Sequence, residues 1–243
     1  MLGYIVRRLL ISVPILLLVV TMVFFAFQLI PGDPARMYAG EQASEDVVER
    51  LRRDLGLDRP VLEQYVGYLG RLSRGDLGDS IFFQRPVTTE IQGRFWNTVK
   101  LSLSAIALAS VAGIALGTVA ATNRGRFLDH AASVIALLGI SIPVFWLGLL
   151  LMYVFSLWLG LLPTAGDDGW RNYIMPTVTL AVFSLAFIAR MTRSSLLEAI
   201  GQDYVRTARA KGLTERSALI GHALRNALLP ILTVVGLRFG YML

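Results

Sequence analysis

Residues 198–230 read EAIGQDYVRTARAKGLTERSALIGHALRNALLP, the longest polar run after Arg94, and they lie between two apolar blocks. Five basic residues (Arg206, Arg209, Lys211, Arg216, Arg225) stand there against three acids (Glu198, Asp203, Glu215). Asp203 is placed to cap the first free amides of a short helix over Tyr204 to Lys211. Gly212 supplies the left-handed residue that ends it, with Arg209 and Lys211 near its negative end. Thr214 starts a second helix with Glu215 in its first turn, and Pro230 limits or kinks it. Two turns of isolated helix are marginal in water, so residues 203–212 must be held by something they dock against, and a partner protein is the natural candidate. Charge alone fits a plainer reading, a solvated positive cytoplasmic loop.

Composition places the chain in a membrane. Hydrophobic residues make up 55% of the 243, and charged residues only 16%, against roughly 25% in soluble domains; the mean hydropathy is +0.60. The net charge of +6 would suit nucleic acid, but the basic residues flank apolar blocks instead of forming one exposed stripe, so they read as a topology signal and no nucleic-acid partner is expected. With no cysteine, disulfides, thiolate metal sites and cysteine nucleophiles are excluded. His130 and His222 are the only histidines, and both read as helix-end residues near a polar boundary. Neither Lys100 nor Lys211 follows a glycine, so there is no Gly-Lys-Ser/Thr phosphate loop and ATP is not bound by that route.

Residues 9–30 carry no charge and follow Arg7 and Arg8, which puts the N-terminus in the cytoplasm. A cleaved signal peptide shares that pattern. The run exceeds a signal core of about 7–15 residues and ends in Pro31-Gly32-Asp33-Pro34, so it reads as a retained span. Residues 31–95 then lie outside. Ser44 caps a helix with Val47, Val48, Leu51 and Leu55 on one face and Gly56 at its end, and Pro60 opens another with Leu62, Tyr65, Val66, Leu69 and Leu72 on its buried side. The segment RGDLGDSIFFQRPV, 74–87, turns at Gly75 and Gly78. It reads as a docking platform or, alternatively, as a substrate-binding surface.

The second span, 99–121, is rich in small residues, with Gly113 and Gly117 four apart, and should be central to the packing. Asn123-Arg124-Gly125-Arg126 returns positive charge to the cytoplasm. Residues 131–162 are longer than one straight span needs, and Pro143 within GISIPVFWLG, 139–148, should bend them. Either this is one tilted helix with a harmless kink, or Ser141 and Pro143 lie near a translocation path, where freed carbonyls are tolerated. Trp146, Tyr153 and Trp158 read as packing or interfacial aromatics. The next loop, external by this alternation, holds Asp167, Asp168 and Arg171. A fourth span covers 173–189, with Arg190 and Arg193 at its inner end. A fifth opens at Leu229 and has about fifteen residues before Leu243, fewer than a span needs. Arg238, about 12 Å beyond Pro230 at 1.5 Å per residue, must face protein or water, and it joins Ser141 and Pro143 as a candidate for the translocation path.

The string DYVRTARAKGL at 203–213, followed by HALRNALLP at 222–230, resembles the cytoplasmic loop of ABC-importer permeases, specifically the dipeptide/oligopeptide/nickel branch. The general importer signature has Glu-Ala-Ala before a glycine. Here those positions read Arg206-Thr207-Ala208, with Gly212 kept, and the run to Leu229-Pro230 is longer; both departures are those of the peptide-importer version. The 74–87 segment and SIPVFW at 141–146 resemble the same branch. The resemblance implies an all-α, polytopic type I importer transmembrane fold, with an N-terminal part over 1–94 and a transmembrane domain over 95–243 that looks C-terminally truncated within its fifth helix. It implies a coupling helix formed by Asp203, Tyr204, Val205, Arg206, Thr207, Ala208, Arg209, Ala210, Lys211 and Gly212, seated in a groove of an ATPase subunit. The chain is then a transport subunit and no enzyme. It has no cofactor of its own, ATP being bound by partners, and no metal site. The implied partners are a second homologous permease, two ATPase subunits, an extracytoplasmic solute-binding protein and membrane lipid, and the cargo is peptides or related small solutes. Two other classes fit the composition: an ion-gradient-driven transporter or channel, for which the spans hold few ionisable groups, and a non-transporting membrane assembly subunit.

Overall fold

The computed structural model describes residues 2–40, 42–80, 82–166 and 169–243; Asp167 and Asp168, which mark the short external loop in the sequence, lie outside the described residues. Among the described residues eleven α-helices follow one another: α1 (Leu2–Leu29), α2 (Pro34–Ala39), α3 (Glu45–Asp54), α4 (Val61–Leu72), α5 (Val87–Thr122), α6 (Phe127–Ser141), α7 (Val144–Leu151), α8 (Trp170–Ile200), α9 (Asp203–Ala210), α10 (Glu215–Ser217) and α11 (Arg225–Met242). π-Helical segments, Met152–Trp158 and Ala218–Leu224, extend α7 and join α10 to α11. Among the described residues β pairing is limited to one isolated bridge, Asp79 with Pro86. Four stretches are long and apolar enough to cross a bilayer, Gly3–Leu29, Val87–Thr122, Trp170–Ile200 and Glu215–Met242, and the bent pair Phe127–Ser141 with Val144–Trp158 makes a fifth. Contacts divide the chain into a first unit ending at Gly93 and a second from Arg94 to Leu243.

In the first unit the C-terminal turns of α1 carry α4. The Thr21 and Tyr65 hydroxyls are 2.6 Å apart, and Phe24 packs on Tyr65 and Tyr68 at ring separations of 5.3 and 5.7 Å. This turns the buried side of α4 toward Tyr65, Tyr68 and Leu69 and leaves Leu62 and Val66 exposed, a correction to the face read from periodicity: aromatic rings reach across where Leu62 and Val66 do not. Val48 alone of the expected α3 face is fully buried, and Ser44 stands at the N-cap without a side-chain bond to the helix. Asp33 caps α2 through the Ala35 amide and accepts 2.6 Å from Arg52. The Arg52 guanidinium holds the Asp33 carboxyl below the usual carboxylate range.

In the second unit the small-residue pattern marks 99–121 as the centre, but that place belongs to α8, which α5, α6, α7 and α11 all meet. A Cβ on Gly117 would lie 2.4 Å from the Ala189 carbonyl oxygen and 2.6 Å from Thr192 Cβ, and one on Gly113 would lie 3.0 Å from Ile188. The glycine spacing therefore serves backbone contact, as read; the hub is its partner. α8 spans 31 residues because nothing stops it at Arg190, and Pro176 sits inside it. Pro143 behaves differently. Ile142, placed before it, is extended (ψ 121°), as the proline ring demands of its predecessor, and the two halves meet at 99°. A kinked single helix over 131–162 is thereby replaced by a break. Pro230, expected to limit or kink the helix begun at Thr214, does not end it, and the last stretch runs helical from Glu215 to Met242 and begins well before Leu229.

One charged tie joins α6 to α8. Arg193 donates to both oxygens of buried Asp129 at 2.6 and 2.8 Å, and the Gly125 amide adds a third bond at 2.9 Å.

Two outcomes follow from this packing. Gly117→Val should lower the midpoint of thermal unfolding of the purified chain by about 5 °C or more, since overpacking costs about 1–3 kcal/mol or more. Gly148→Ala, whose Cβ meets Thr179 at 3.5 Å, should leave it nearly unchanged. Asp129→Ala should cost about 2 kcal/mol, less than the 3–5 of a fully buried pair because Arg193 stays one-third exposed. Asp129→Leu combined with Arg193→Met should recover most of that loss, and an additive double mutant would show that the pair is not coupled.

Candidate functional site

The site begins with α9, a two-turn helix that its own sequence could not stabilise in water. Val205 is fully buried and Ala208 nearly so, one turn apart on one face. Val205 enters the cluster formed by Leu196, Ala199, Ala218, Ala223, Ala227 and Ile231, so α9 is clamped between the end of α8 and the π-helical Ala218–Leu224. Tyr204, Arg206, Thr207, Arg209, Ala210, Lys211 and Gly212 remain exposed. The helix thus presents an anchored apolar side and an exposed polar one that carries Arg206, Arg209 and Lys211.

Its ends differ from the sequence reading at one point. Gln202, not Asp203, holds the N-cap conformation (φ −77°, ψ 151°), with no side-chain bond to the helix. Asp203 lies one residue too far inside to cap; its carboxylate instead sits 3.3 Å from Arg206 and favours the positive helix end. At the other end Lys211 is the C-cap, one residue earlier than expected. Gly212 has φ +86°. The Leu213 amide donates to Ala208 (3.3 Å) and the Gly212 amide to Arg209 (2.9 Å), the paired bonds of a Schellman turn. Thr214 caps the next helix through Ser217 N–H at 3.3 Å. Across this turn Arg209 grips Glu215 with two bonds of 2.9 and 3.0 Å. The pair is exposed and contributes little stability, but it fixes the relative direction of α9 and α10.

A cavity of about 870 Å³ opens among α6, α8 and α11, with Ser133, Phe187, Arg190, Arg193, Arg238 and Tyr241 on its wall. Arg238 lies in it, with its guanidinium carbon 3.5 Å from the centre of the Phe187 ring and within 6 Å of Phe183 and Tyr241. Thirteen residues separate Arg238 from Arg225. At 1.5 Å per residue that count puts Arg238 about 20 Å along its helix from Arg225, while on α8 Phe187 is only about 4.5 Å from Arg190 at the inner end of the span. A charge against an apolar wall is costly, and stacking on an aromatic face returns up to about 2 kcal/mol. Ser141 and Pro143 are elsewhere: the Ser141 hydroxyl donates back to the Leu137 carbonyl at 2.9 Å, Pro143 caps α7, and neither lines the cavity. Arg190, Arg193, Phe187 and Ser133 were not singled out for the site by sequence; the charges at the inner end of the fourth span were visible, but which helix they face was not. Among the described residues no group of three or more His, Asp or Glu side chains is placed to hold a metal ion.

Comparison with known proteins accounts for the whole length. Residues 113–243 match the model of the binding-protein-dependent transport system inner membrane component, and residues 1–102 match that of the N-terminal membrane component of such systems. The chain is 46% identical over its full length to the glutathione transport system permease protein GsiC of Pectobacterium atrosepticum, covering 79% of that protein. It is 44% identical, with the same coverage, to the GsiC proteins of Escherichia coli and Salmonella choleraesuis. The helical fold, the apolar stretches and these matches agree, and the chain belongs to the binding-protein-dependent transport system inner membrane component family, as a multi-pass permease subunit of an ABC importer.

Proposed function

We propose that this subunit carries small peptides of the glutathione kind across the cytoplasmic membrane, and that α9 is the element through which ATPase partners drive it. The observation that carries the reading is the division of α9 into a buried side, Val205 and Ala208, and an exposed side bearing Arg206, Arg209 and Lys211. A helix built this way moves as a rigid body with the α8 end and the Ala218–Leu224 segment, while its exposed face can sit in a groove of another protein. The solute class follows the printed name of the relatives. The partners are a second permease, two ATPase subunits and an external solute-binding protein, and Arg7 and Arg8 keep the N-terminus inside. ATP closes the ATPase pair, each groove displaces its docked helix, and the spans rock between inward- and outward-open states. Coupling requires that ATP and the loaded binding protein both favour one state.

Gly212 gives the test. Its φ of +86° is strained for any residue with a Cβ, although nothing lies within 4 Å of the position a Cβ would take. A substitution there therefore acts on the backbone turn alone. Gly212→Val should abolish stimulation of the ATPase by loaded binding protein and reduce uptake at least about tenfold, with membrane levels unchanged, whereas Gly212→Asn, which tolerates the left-handed region, should retain most of both. Normal uptake and unchanged stimulation in the valine variant would refute the role given to α9.

A further inference from the structure

Three arginines line the cavity among α6, α8 and α11, and their surroundings separate them. Arg193 is neutralised by Asp129, with two bonds below 3 Å. Arg238 has no carboxylate against it among the described residues; its guanidinium carbon lies over the Phe187 ring instead, 3.5 Å from the centroid. Stacking occupies the face of a guanidinium and leaves its N–H donors pointing out from the edge in a fixed fork. Among the described residues no acceptor takes a hydrogen bond from it. Arg190, one helical turn from Phe187, stands on the same wall, exposed, and likewise has no carboxylate against it among the described residues. The rest of the lining is largely apolar, with Leu137, Val234 and Leu237.

The geometry points to an oxyanion subsite in which Arg238, held by Phe187, takes a carboxylate of the passing solute by a two-pronged bond, with Arg190 as a second positive charge toward the polar end of α8. A planar fork pre-set by an aromatic face is suited to bidentate carboxylate recognition, and a cavity of about 870 Å³ falls within the size of small-molecule sites. Lipid phosphates share the chemistry, and the test below separates the two sources by esterifying the solute and by varying the lipid. The inference rests on the importer reading for the identity of the solute.

The test uses the assembled importer in proteoliposomes and the absence of cysteine from this chain. Ser133→Cys, on the exposed side of the cavity wall, provides one thiol whose modification is read on this chain by mass. An anionic methanethiosulfonate bearing a sulfonate should react about tenfold faster than its trimethylammonium counterpart. S-methylglutathione, whose thiol is blocked, should slow the reaction, and its dimethyl ester should not. With Arg238→Gln added, both the rate advantage and the protection should largely vanish, while reactivity toward the neutral methyl reagent stays the same and reports an intact cavity. Arg238→Lys should keep the rate advantage and lose most of the protection. Should Arg238→Gln fail to assemble, Phe187→Leu, which keeps the charge and removes the ring beneath it, should weaken protection in the same assay.

Equal protection by the ester, or protection unchanged by these substitutions, would overturn the subsite. So would an anionic rate advantage abolished only by adding phosphatidylglycerol to phosphatidylcholine liposomes, which would make the occupant a lipid phosphate. A thiol reached in this chain alone but closed in the assembled importer would give the cavity to the second permease, with the same consequence. Labelling requires neither ATP nor turnover. Failure of ATP-driven uptake in the same liposomes therefore removes the importer-substrate reading, while retained uptake with unprotected labelling removes the subsite alone.

Discussion

Helices α5 and α8 touch backbone to backbone: at Gly117 the space a Cβ would occupy is already filled by the Ala189 carbonyl and Thr192. In lipid, apolar burial does not drive helices together, because the surrounding chains are as apolar as leucine; close van der Waals approach and polar contacts do. The rest of the second unit extends that contact. Ala105, Ala109 and Gly113 continue the small-residue edge of α5, the Ser104 hydroxyl meets Thr177 at 2.9 Å, and Tyr173 donates to Asn97 at 3.1 Å. One further face of α8, that of Thr179, Val182 and Ala186, then receives α6 at Gly139 and α7 at Gly148. Small residues on three neighbours let them close on one helix.

This makes α8 more than a span. Over its 31 residues, about 46 Å at 1.5 Å per residue, it holds Phe187 and Arg190 on the cavity wall, Arg193 on Asp129, and Leu196 and Ala199 in the cluster that seats Val205. Only Gly201 and Gln202 separate its end from α9. A displacement of α9 therefore cannot be absorbed by a floppy connection; it is delivered to a rod whose other segments line the cavity. The α6 end is tied to the same rod by the Asp129 carboxylate and the Gly125 amide, so the 123–126 turn moves with it.

Much of this was legible in the residues. Apolar length gave the helices, Gly212 gave a left-handed turn now seen at φ +86°, Thr214 gave a cap, and the 203–213 string gave the family. What escaped was decided by contacts far apart in sequence. Asp203 has the chemistry of a cap, but whether it or Gln202 occupies that position depends on how the chain leaves α8. Prolines illustrate the same limit. Pro176 and Pro230 lie inside continuous helices while Pro143 ends one, and the local sequence offers each the same missing donor; what differs is whether the preceding residue finds helical or extended backbone in its packed surroundings. The pairing of Asp129 with Arg193, 64 residues apart, has no periodic signature at all.

The three arginines of the cavity show why a count of charges is a poor guide to what a membrane helix does with them. By composition they are alike. By surroundings, Arg193 is half of a neutral pair, Arg190 stands exposed on the wall, and Arg238 lies over an aromatic face. Desolvation sets the order. An exposed guanidinium can remain charged at little cost, one against an apolar wall must find compensation, and an aromatic ring compensates without cancelling the charge. A carboxylate in place of Phe187 would have been electrically stronger, yet it would have closed the donors that a ring leaves open. Retaining a positive charge deep in an apolar cavity while neutralising the one nearer the end of α8 directs the electrostatic attraction inward, and on the proposed reading that is what an importer of carboxylate-bearing solutes requires of this wall.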